Sequence, residues 1–346
     1  MALLFCDGFA HYGQEDLPKK WDSANSWLST AINLVATNVR RAGVPVLWFD
    51  NNTNNNLRKA IGTITTAVTV GFALRENTLG SCVCTLHDAV GPQCSVTVES
   101  DGSVTVRRGY YNGTILGQSA GGVISALTWH YIEFKIYVHD TTGTFEVHVD
   151  GVQVLVSTGA QDTKNQTSAN VTMFGFEGYK LTDDIRVCDL YICDASGSYN
   201  NTFLGDIRID AILPSGAGAY AQWDPSGEAE NYQCVDESDI NEDTDYSSTD
   251  VTNEIDSHLF TDLASLTIDS IKAAVLNLCF RKDDAGSRTV KGHVRVSSNN
   301  YEGASTFSVP DTYTVQQQVW ETNPYSSAAW TRATLNAAEF GAKLIS

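Results

Sequence analysis

Between Trp129 and Val156 the chain alternates with a period of two. Ile132, Phe134, Ile136 and Val138 are interleaved with Glu133, Lys135, Tyr137 and His139. Phe145, Val147 and Val149 are interleaved with Glu146, His148 and Asp150. Such alternation sends one set to a buried face and the other to solvent. Asp140-Thr-Thr-Gly143 separates the two runs as a turn. Asp150-Gly151 suits a tight primed turn, whose central residues both take positive φ, and predicts a return strand over Val152–Val156. An antiparallel meander with one wet and one dry face requires a second sheet over the dry one.

The same reading places strands at about 64–75, 82–88, 93–99 and 103–108, with Ser100-Asp101-Gly102 as a hairpin turn. Further strands are expected near 114–118, at Val171–Phe176 and at Ile185–Cys193. Short strands at near-regular spacing, punctuated by Gly, Asn and Asp, predict a sandwich. Residues 1–60 give less: Phe5 and Phe9 flank Asp7-Gly8, Trp21–Leu34 has helical spacing without a clean stripe, and Asn51–Asn56 reads as a loop. Ser196–Asn201 is a second loop, leading into Phe203–Ile209. Beyond it, Ile268–Phe280 reads as a strand, Arg281–Gly286 as a hairpin loop and Thr289–Val296 as the returning strand. Phe307–Val309 and Thr312–Val319 follow. Trp330–Phe340 predicts one short helix with Gly341 at its C-cap. The expected class is therefore all-β, with one domain over 1–208. A second, smaller β-sandwich spans 209–346, with an acidic loop over 224–256 and a short C-terminal helix.

Charge narrows the partners. Lys and Arg number 22 against 41 Asp and Glu, a formal net charge of −19. That predicts no nucleic acid partner, since phosphate binding wants clustered cations, and no anionic membrane surface. No stretch approaches the roughly 20 apolar residues of a membrane span. The opening MALLFCDGFAHYG lacks a basic n-region and predicts no secretion signal, hence synthesis in the cytosol. From Ile209 to Ile271 there is no Lys or Arg, and carboxylates crowd Asp236–Asp256. Without a DxDxDG loop this reads as a solvated acidic surface and not as a cation site.

The cysteines are Cys6, Cys82, Cys84, Cys94, Cys188, Cys193, Cys234 and Cys279. On strands, Cys82 and Cys84 share a face while Cys188 and Cys193 oppose each other. No zinc spacing occurs. Two readings stay open: buried reduced thiols acting as small hydrophobes, or disulfides among Cys82, Cys84, Cys94, Cys188, Cys193, Cys234 and Cys279, within or between subunits.

A search for chemistry finds little. A glycosidase on a sandwich needs two carboxylates facing one cleft, and the nearest run, Glu99-Ser-Asp101, loses Asp101 to the turn. Asp206-Ile-Arg-Ile-Asp210 places three polar groups on one strand face, the pattern of an ion pair. His11, His87, His130, His139, His148, His258 and His293 are scattered. Only His139 and His148, with Asp140, could approach across a hairpin, and solvent exposure accounts for them. No GxSxG elbow, phosphate loop or dinucleotide fingerprint is present. The expectation is a non-enzyme with no catalytic, cofactor-binding or metal residue. Tyr110 and Tyr111 beside Asn112-Gly113, with Tyr131, Tyr137 and Tyr179, are candidates for stacking on sugar rings.

At Trp129-His-Tyr-Ile-Glu-Phe-Lys135, Phe145-Glu-Val-His-Val-Asp-Gly151 and Asp184-Ile-Arg-Val the chain resembles the laminin-G-like, concanavalin A-like jelly-roll sandwich, over roughly residues 1–195. Three further regions are similar to a group of tailed-bacteriophage virion proteins. They are Asp189-Leu-Tyr-Ile-Cys-Asp194 with Asn200-Asn-Thr-Phe-Leu-Gly-Asp-Ile-Arg208, Arg281-Lys-Asp-Asp-Ala-Gly-Ser-Arg288, and the ending Asn323-Pro…Ala329-Trp-Thr…Glu339-Phe-Gly341. This resemblance implies a structural protein of the virion, in tail, collar, fibre or capsid surface. Its partners would be other virion proteins and copies of itself, in a homo-oligomer. It also implies a lectin-like surface for which a host-envelope glycan is the candidate ligand. The high cysteine count departs from the group and raises covalent cross-linking as an expectation. Two other functions compete: a carbohydrate-binding adhesin, and a glycan hydrolase working through Asp206 or Asp210.

Overall fold

The computed structural model describes residues 2–24, 32–49, 56–178, 184–263, 268 and 270–346. The chain divides into two units, residues 1–10 with 21–210, and residues 11–20 with 211–346. The break after Asp210 lies close to the expected boundary at 208. His11–Lys20, placed in the first domain from the sequence, belongs to the second unit.

In chain order the first unit's strands are β1 (Leu3–Asp7), β2 (Ser23–Ala24), β3 (Ile32–Val35), β4 (Val46–Phe49) and β5 (Asn56–Ile64). They continue with β6 (Val68–Glu76), β7 (Cys82–His87), β8 (Pro92–Val98), β9 (Val104–Arg108) and β10 (Thr114–Gln118). The last are β11 (His130–Tyr137), β12 (Thr144–Val149), β13 (Val152–Val156), β14 (Val171–Gly178) and β15 (Ile185–Asp194). One sheet runs β13-β12-β11-β6-β15-β4-β3, with β1 on β15; the other runs β10-β9-β8-β7-β14-β5-β2. Every pairing is antiparallel. This is the two-layer, all-β sandwich that the period-two meander required, and we name its layers the β6 sheet and the β7 sheet.

Alternation decides what lies between the layers. Phe72 and Phe134 point inward from the β6 sheet, Phe174 and Phe176 from the β7 sheet. Phe72 meets Phe176 edge-on at 5.1 Å between ring centroids, an arrangement aromatic quadrupoles favour. Trp21 lies parallel to Phe9 at 6.2 Å and donates its indole N–H to the buried Asp7 at 3.0 Å.

Several expectations need correction. The single strand at 64–75 is two strands, β5 and β6, broken at 65–67. The opening residues, to which the sequence assigns no strand, contain β1, which pairs with β15 from Leu3 to Asp7. Cys188 and Cys193 share a face instead of opposing each other. A bulge follows Cys188, where Asp189 takes φ 52°, and Cys188, Tyr191 and Cys193 then pair with Ala73, Gly71 and Thr69 on one side of the sheet. One extra residue restores the parity that a spacing of five would break. Asp206–Asp210, read as one strand face, is not a strand. The loop read at Asn51–Asn56 lies outside the described residues except for Asn56, which opens β5, and so do residues 25–31, half of the Trp21–Leu34 stretch.

The second unit holds α1 (Leu17–Lys20), β16 (Pro214–Ala221), β17 (Asp224–Ser226), β18 (Tyr246–Ser248), β19 (Ile255–Phe260) and β20 (Ala274–Phe280). It continues with β21 (Thr289–Val296), β22 (Asn299–Glu302), β23 (Phe307–Ser308), β24 (Thr314–Trp320), α2 (Arg332–Asn336) and β25 (Glu339–Leu344). Its main sheet runs β16-β19-β25-β21-β22, with β23 on β21; β20 and β24 form a second layer. Val294, Val296, Trp320, Trp330 and Phe340 make the core between them. Arg281–Gly286 is not a hairpin loop, because β20 pairs with β24 while β21 pairs with β25. The short helix is present, capped by Thr331, which accepts from the Thr334 amide. It ends at Ala337, however, and Gly341 is not its cap. Gly341 sits inside β25 between Ser257 and His293, where a side chain would run into the Asp256 carbonyl. The acidic stretch is built into the unit: β17 and β18 pair across it, and Asp245 and Asp256 are buried.

Candidate functional site

Of the two outward faces of the first unit, one is closed by the chain itself. Tyr131, Glu133, Lys135 and Tyr137 point out from β11, with Gly71 and Tyr191 alongside. Residues 203–209 lie against this face. Tyr191 donates its hydroxyl to Glu133 at 2.5 Å. The Gly205 amide also donates to Glu133, at 2.9 Å, and the Leu204 amide to the Tyr191 hydroxyl at 3.0 Å. Phe203 stacks on His148 at 4.2 Å. Asp189, at 0 % exposure, takes Arg40 at 2.9 Å, Arg41 and the Ile209 amide at 2.9 Å. Tyr131 donates to the Asp189 carbonyl at 3.0 Å and is sealed, so it is no stacking platform. The Phe-Leu-Gly-Asp-Ile-Arg run that resembles the virion group is thus a latch over the β6 sheet. Asp206 binds Arg40 at 2.5 Å and Asp210 binds Arg208 at 2.7 Å; held by different arginines, they do not form an acid/base pair.

The β7 sheet is finished differently. Pairing lines up Arg58, Gly175, Thr85, Ser95 and Arg107 across five neighbouring strands on its outer side. Gly175 leaves a gap in this row, and Glu177, two residues on, folds over it. Glu177 Oε1 accepts from Arg58 Nε at 2.9 Å, from Arg58 Nη2 at 2.8 Å and from His87 Nε2 at 2.7 Å. Tyr110 also donates to Glu177. Burial opposes ionisation of Glu177, but the bonds from His87 and Tyr110 and the Arg58 charge outweigh it and hold its pKa below the usual carboxylate range. Because an ionised carboxylate only accepts, His87 carries its proton on Nε2. Burial, then the bond to Glu177, pushes the Tyr110 hydroxyl up. Beneath this cluster Thr85 is 0 % and Ser95 1 % exposed, and neither hydroxyl has a hydrogen-bond partner among the described residues. Buried hydroxyls are ordinarily satisfied, so two such groups side by side mark a polar floor under a roof of side chains.

Tyr110 and Tyr111 meet edge-on at 4.6 Å beside the cluster. Tyr137 does not join them: it is on the β6 sheet, stacked on His139 at 5.7 Å. Tyr179 lies outside the described residues. Glu99 shares the β7 face but is fixed by Thr97 at 2.6 Å and Arg107 at 2.9 Å. Arg58, His87 and Glu177 escaped the sequence search, since residues 58, 87 and 177 meet only through pairing. The signal that existed was Gly175 inside a strand, which marks a close approach.

His139 and His148 are not brought together. His139 binds Asp140 and His148 binds Glu146, and among the described residues no cluster of His, Cys, Asp and Glu suits a metal. The eight cysteines are thiols, all buried except Cys279. In the second unit Asp256 and His258 stand 3.8 Å apart. Burial raises Asp256 to about 6 and lowers His258 to about 4. No described helix is long and apolar enough to cross a membrane.

No protein-family profile matches the sequence, and no curated protein does. Solved structures do. An endo-β-1,4-glucuronan lyase from the fungus Trichoderma reesei is 13% identical over 55% of this chain and 94% of its own, with a TM-score of 0.41. A protein of unknown function with a galectin-like fold from Bacillus subtilis is 8% identical over 56% and 96%, TM-score 0.39. The carbohydrate recognition domain of Emp46p, in metal-free form, is 9% identical over 55% and 94%, TM-score 0.36. At these values the likeness is one of sandwich architecture and assigns no residue or activity to this chain.

Proposed function

We propose that this chain is a virion protein of a tailed phage whose first sandwich binds a glycan on the outer side of the β7 sheet. The binding half of that reading is carried by one observation: Arg58, His87 and Tyr110 converge on Glu177 above the unpartnered Thr85 and Ser95 hydroxyls. A sugar offers adjacent hydroxyls that donate and accept, and an apolar ring face. The arginine–carboxylate pair matches the first, and the Tyr110–Tyr111 pair supplies surface for the second. A glycan entering here shifts the half-buried Arg58 and Tyr110 side chains and gives the floor hydroxyls their missing partners. The virion half rests on the sequence likeness at Asn200–Arg208, Arg281–Arg288 and Asn323–Gly341.

Glycan-array binding by the full chain tests the first half. Wild type should retain a discrete set of glycans, and Arg58→Ala should weaken them about tenfold or more, the equivalent of one lost charged hydrogen bond, without changing the melting temperature by more than a few degrees. Binding that ignores the substitution, or no binding at all, removes the glycan reading. Mass spectrometry of purified particles tests the second half: a stoichiometric amount of this chain is expected, and its absence from particles removes the virion reading.

A further inference from the structure

The flank of the first sandwich closed by β10 and β13 carries no charged residue on either edge strand. β10 is the last strand of the β7 sheet and β13 the last of the β6 sheet. They end on the same side: a side chain at Gly117 of β10 would stand 2.8 Å from Phe145 of β12 and 3.3 Å from Leu155 of β13. Edge strands ordinarily carry charge or proline, or are covered, because their open backbone groups invite pairing. Here Asn112–Trp129 and Gly151–Gln161 contain no Asp, Glu, Lys, Arg or Pro. Each strand has a register shift against its inner neighbour, which twists the edge without covering it. Ile115 is 52% exposed, Val152 64% and Val156 48%. In a chain of net charge −19, two uncharged segments distant in sequence have been folded to one flank.

We infer that this flank is the contact through which two copies of the chain pair. A single added strand from another protein would occupy one edge and leave the other open. A two-fold-related copy presents two uncharged edges at the same spacing by construction, so β10 meets β10 and β13 meets β13 in one isologous contact. Like-charged copies also approach most easily where charge is missing. This contact is separate from the Glu177 cluster and stands or falls without it.

Sedimentation velocity on the full chain tests the pairing. Wild type should run as a dimer that dissociates on dilution and tightens as salt screens the mutual repulsion. Ile115→Lys with Val156→Lys, both at exposed side chains, should give a monomer with an unchanged circular dichroism spectrum. Val90→Lys, at a side chain 75% exposed on the β7–β8 turn, should remain a dimer. A wild type that is monomeric at every concentration, or a double variant still dimeric, overturns the inference.

Discussion

On the β6 sheet the outward row Glu133, Gly71 and Tyr191 is covered by residues 203–209, and backbone amides fill its acceptors. On the β7 sheet the outward row Arg58, Gly175, Thr85 and Ser95 is covered by side chains that reach in from three strands and a loop. Both coverings bury polar groups. In the first, fixed backbone donors meet each carboxylate and the ladder closes. In the second, the covering groups are side chains, Arg58 and Tyr110 among them; buried atoms without partners occur on both faces, the Thr85 and Ser95 hydroxyls here and the Thr69 hydroxyl and Arg41 Nε there. Backbone latches are what a fold needs to hold a face shut. Side-chain roofs are what a site needs to open it. The difference separates the closed face from the candidate binding face more sharply than composition does, since both faces hold a glycine, a tyrosine or arginine, and a buried glutamate.

The strongest way to break that comparison is Asp189→Asn. Asp189 anchors Arg40, Arg41 and the Ile209 amide at once, and asparagine tolerates its φ of 52°. The substitution removes the charge that two half-buried guanidinium groups share, and breaking such a set costs about 3–5 kcal/mol. Urea unfolding should show a lower midpoint of that size, with glycan binding by the folded fraction retained. A midpoint within about 1 kcal/mol of wild type would mean that the latch is decorative.

A second carboxylate shows what happens without a cation. Glu76 closes β6 and accepts from the Gly80 and Cys82 amides at 3.1 and 2.7 Å. Burial raises its pKa from 4.5 to about 7 despite those bonds. Below pH 4.5 it is protonated folded or unfolded and contributes nothing. As pH rises from 4.5 to 7 the unfolded chain releases this proton while the folded one keeps it, so stability falls, then levels off above 7. At about 1.4 kcal/mol per pKa unit the full loss is about 3 kcal/mol. Urea midpoints at pH 4.5 and 8 should differ more for wild type than for Glu76→Gln. Equal differences would show that Glu76 is ionised in the folded chain.

Much of the fold was legible because the meander from β11 to β13 keeps strict alternation, with Val, Ile and Phe inside and turn residues at each end. β5 was lost for a physical reason. Its buried apolar residues are Leu57, Ile61 and Ile64: Lys59, opposite the inward Phe174, interrupts the apolar run, and the step from Ile61 to Ile64 is three because Gly62 takes φ 77° and the register against β14 shifts there. A bulge turns a strand's signature into a helix-like one. β25 was missed because its Gly341 looked like a stop, although β19 needs a residue without a side chain at that point. The sequence marked the Tyr110–Tyr111 end of the candidate site and nothing more. Arg58, His87 and Glu177 come from β5, β7 and β14, and β5 lies next to β14 only because of a sheet order that no local pattern encodes.

The two glycines offer the finest test of the comparison, because they occupy matching places in the two rows. At Gly71 a new Cβ would enter the ring of Tyr191, whose hydroxyl is held by Glu133 and the latch, so neither side can yield. At Gly175 the nearest atoms are Arg58 Cγ at 3.0 Å and Glu177 Oε1 at 3.4 Å, both on flexible side chains that can swing away. Gly71→Ala should therefore cost about 1–3 kcal/mol, the usual range for overpacking, with no specific loss of binding by the molecules that remain folded. Gly175→Ala should cost less than about 1 kcal/mol. It should still weaken glycan binding, because moving Arg58 and Glu177 pulls the donors off their common oxygen. Differential scanning calorimetry and array binding on the two variants separate these outcomes. Should Gly175→Ala prove the more destabilising of the pair, the roof over the β7 sheet is as rigid as the latch over the β6 sheet, and the distinction between a sealed face and an opening one is lost.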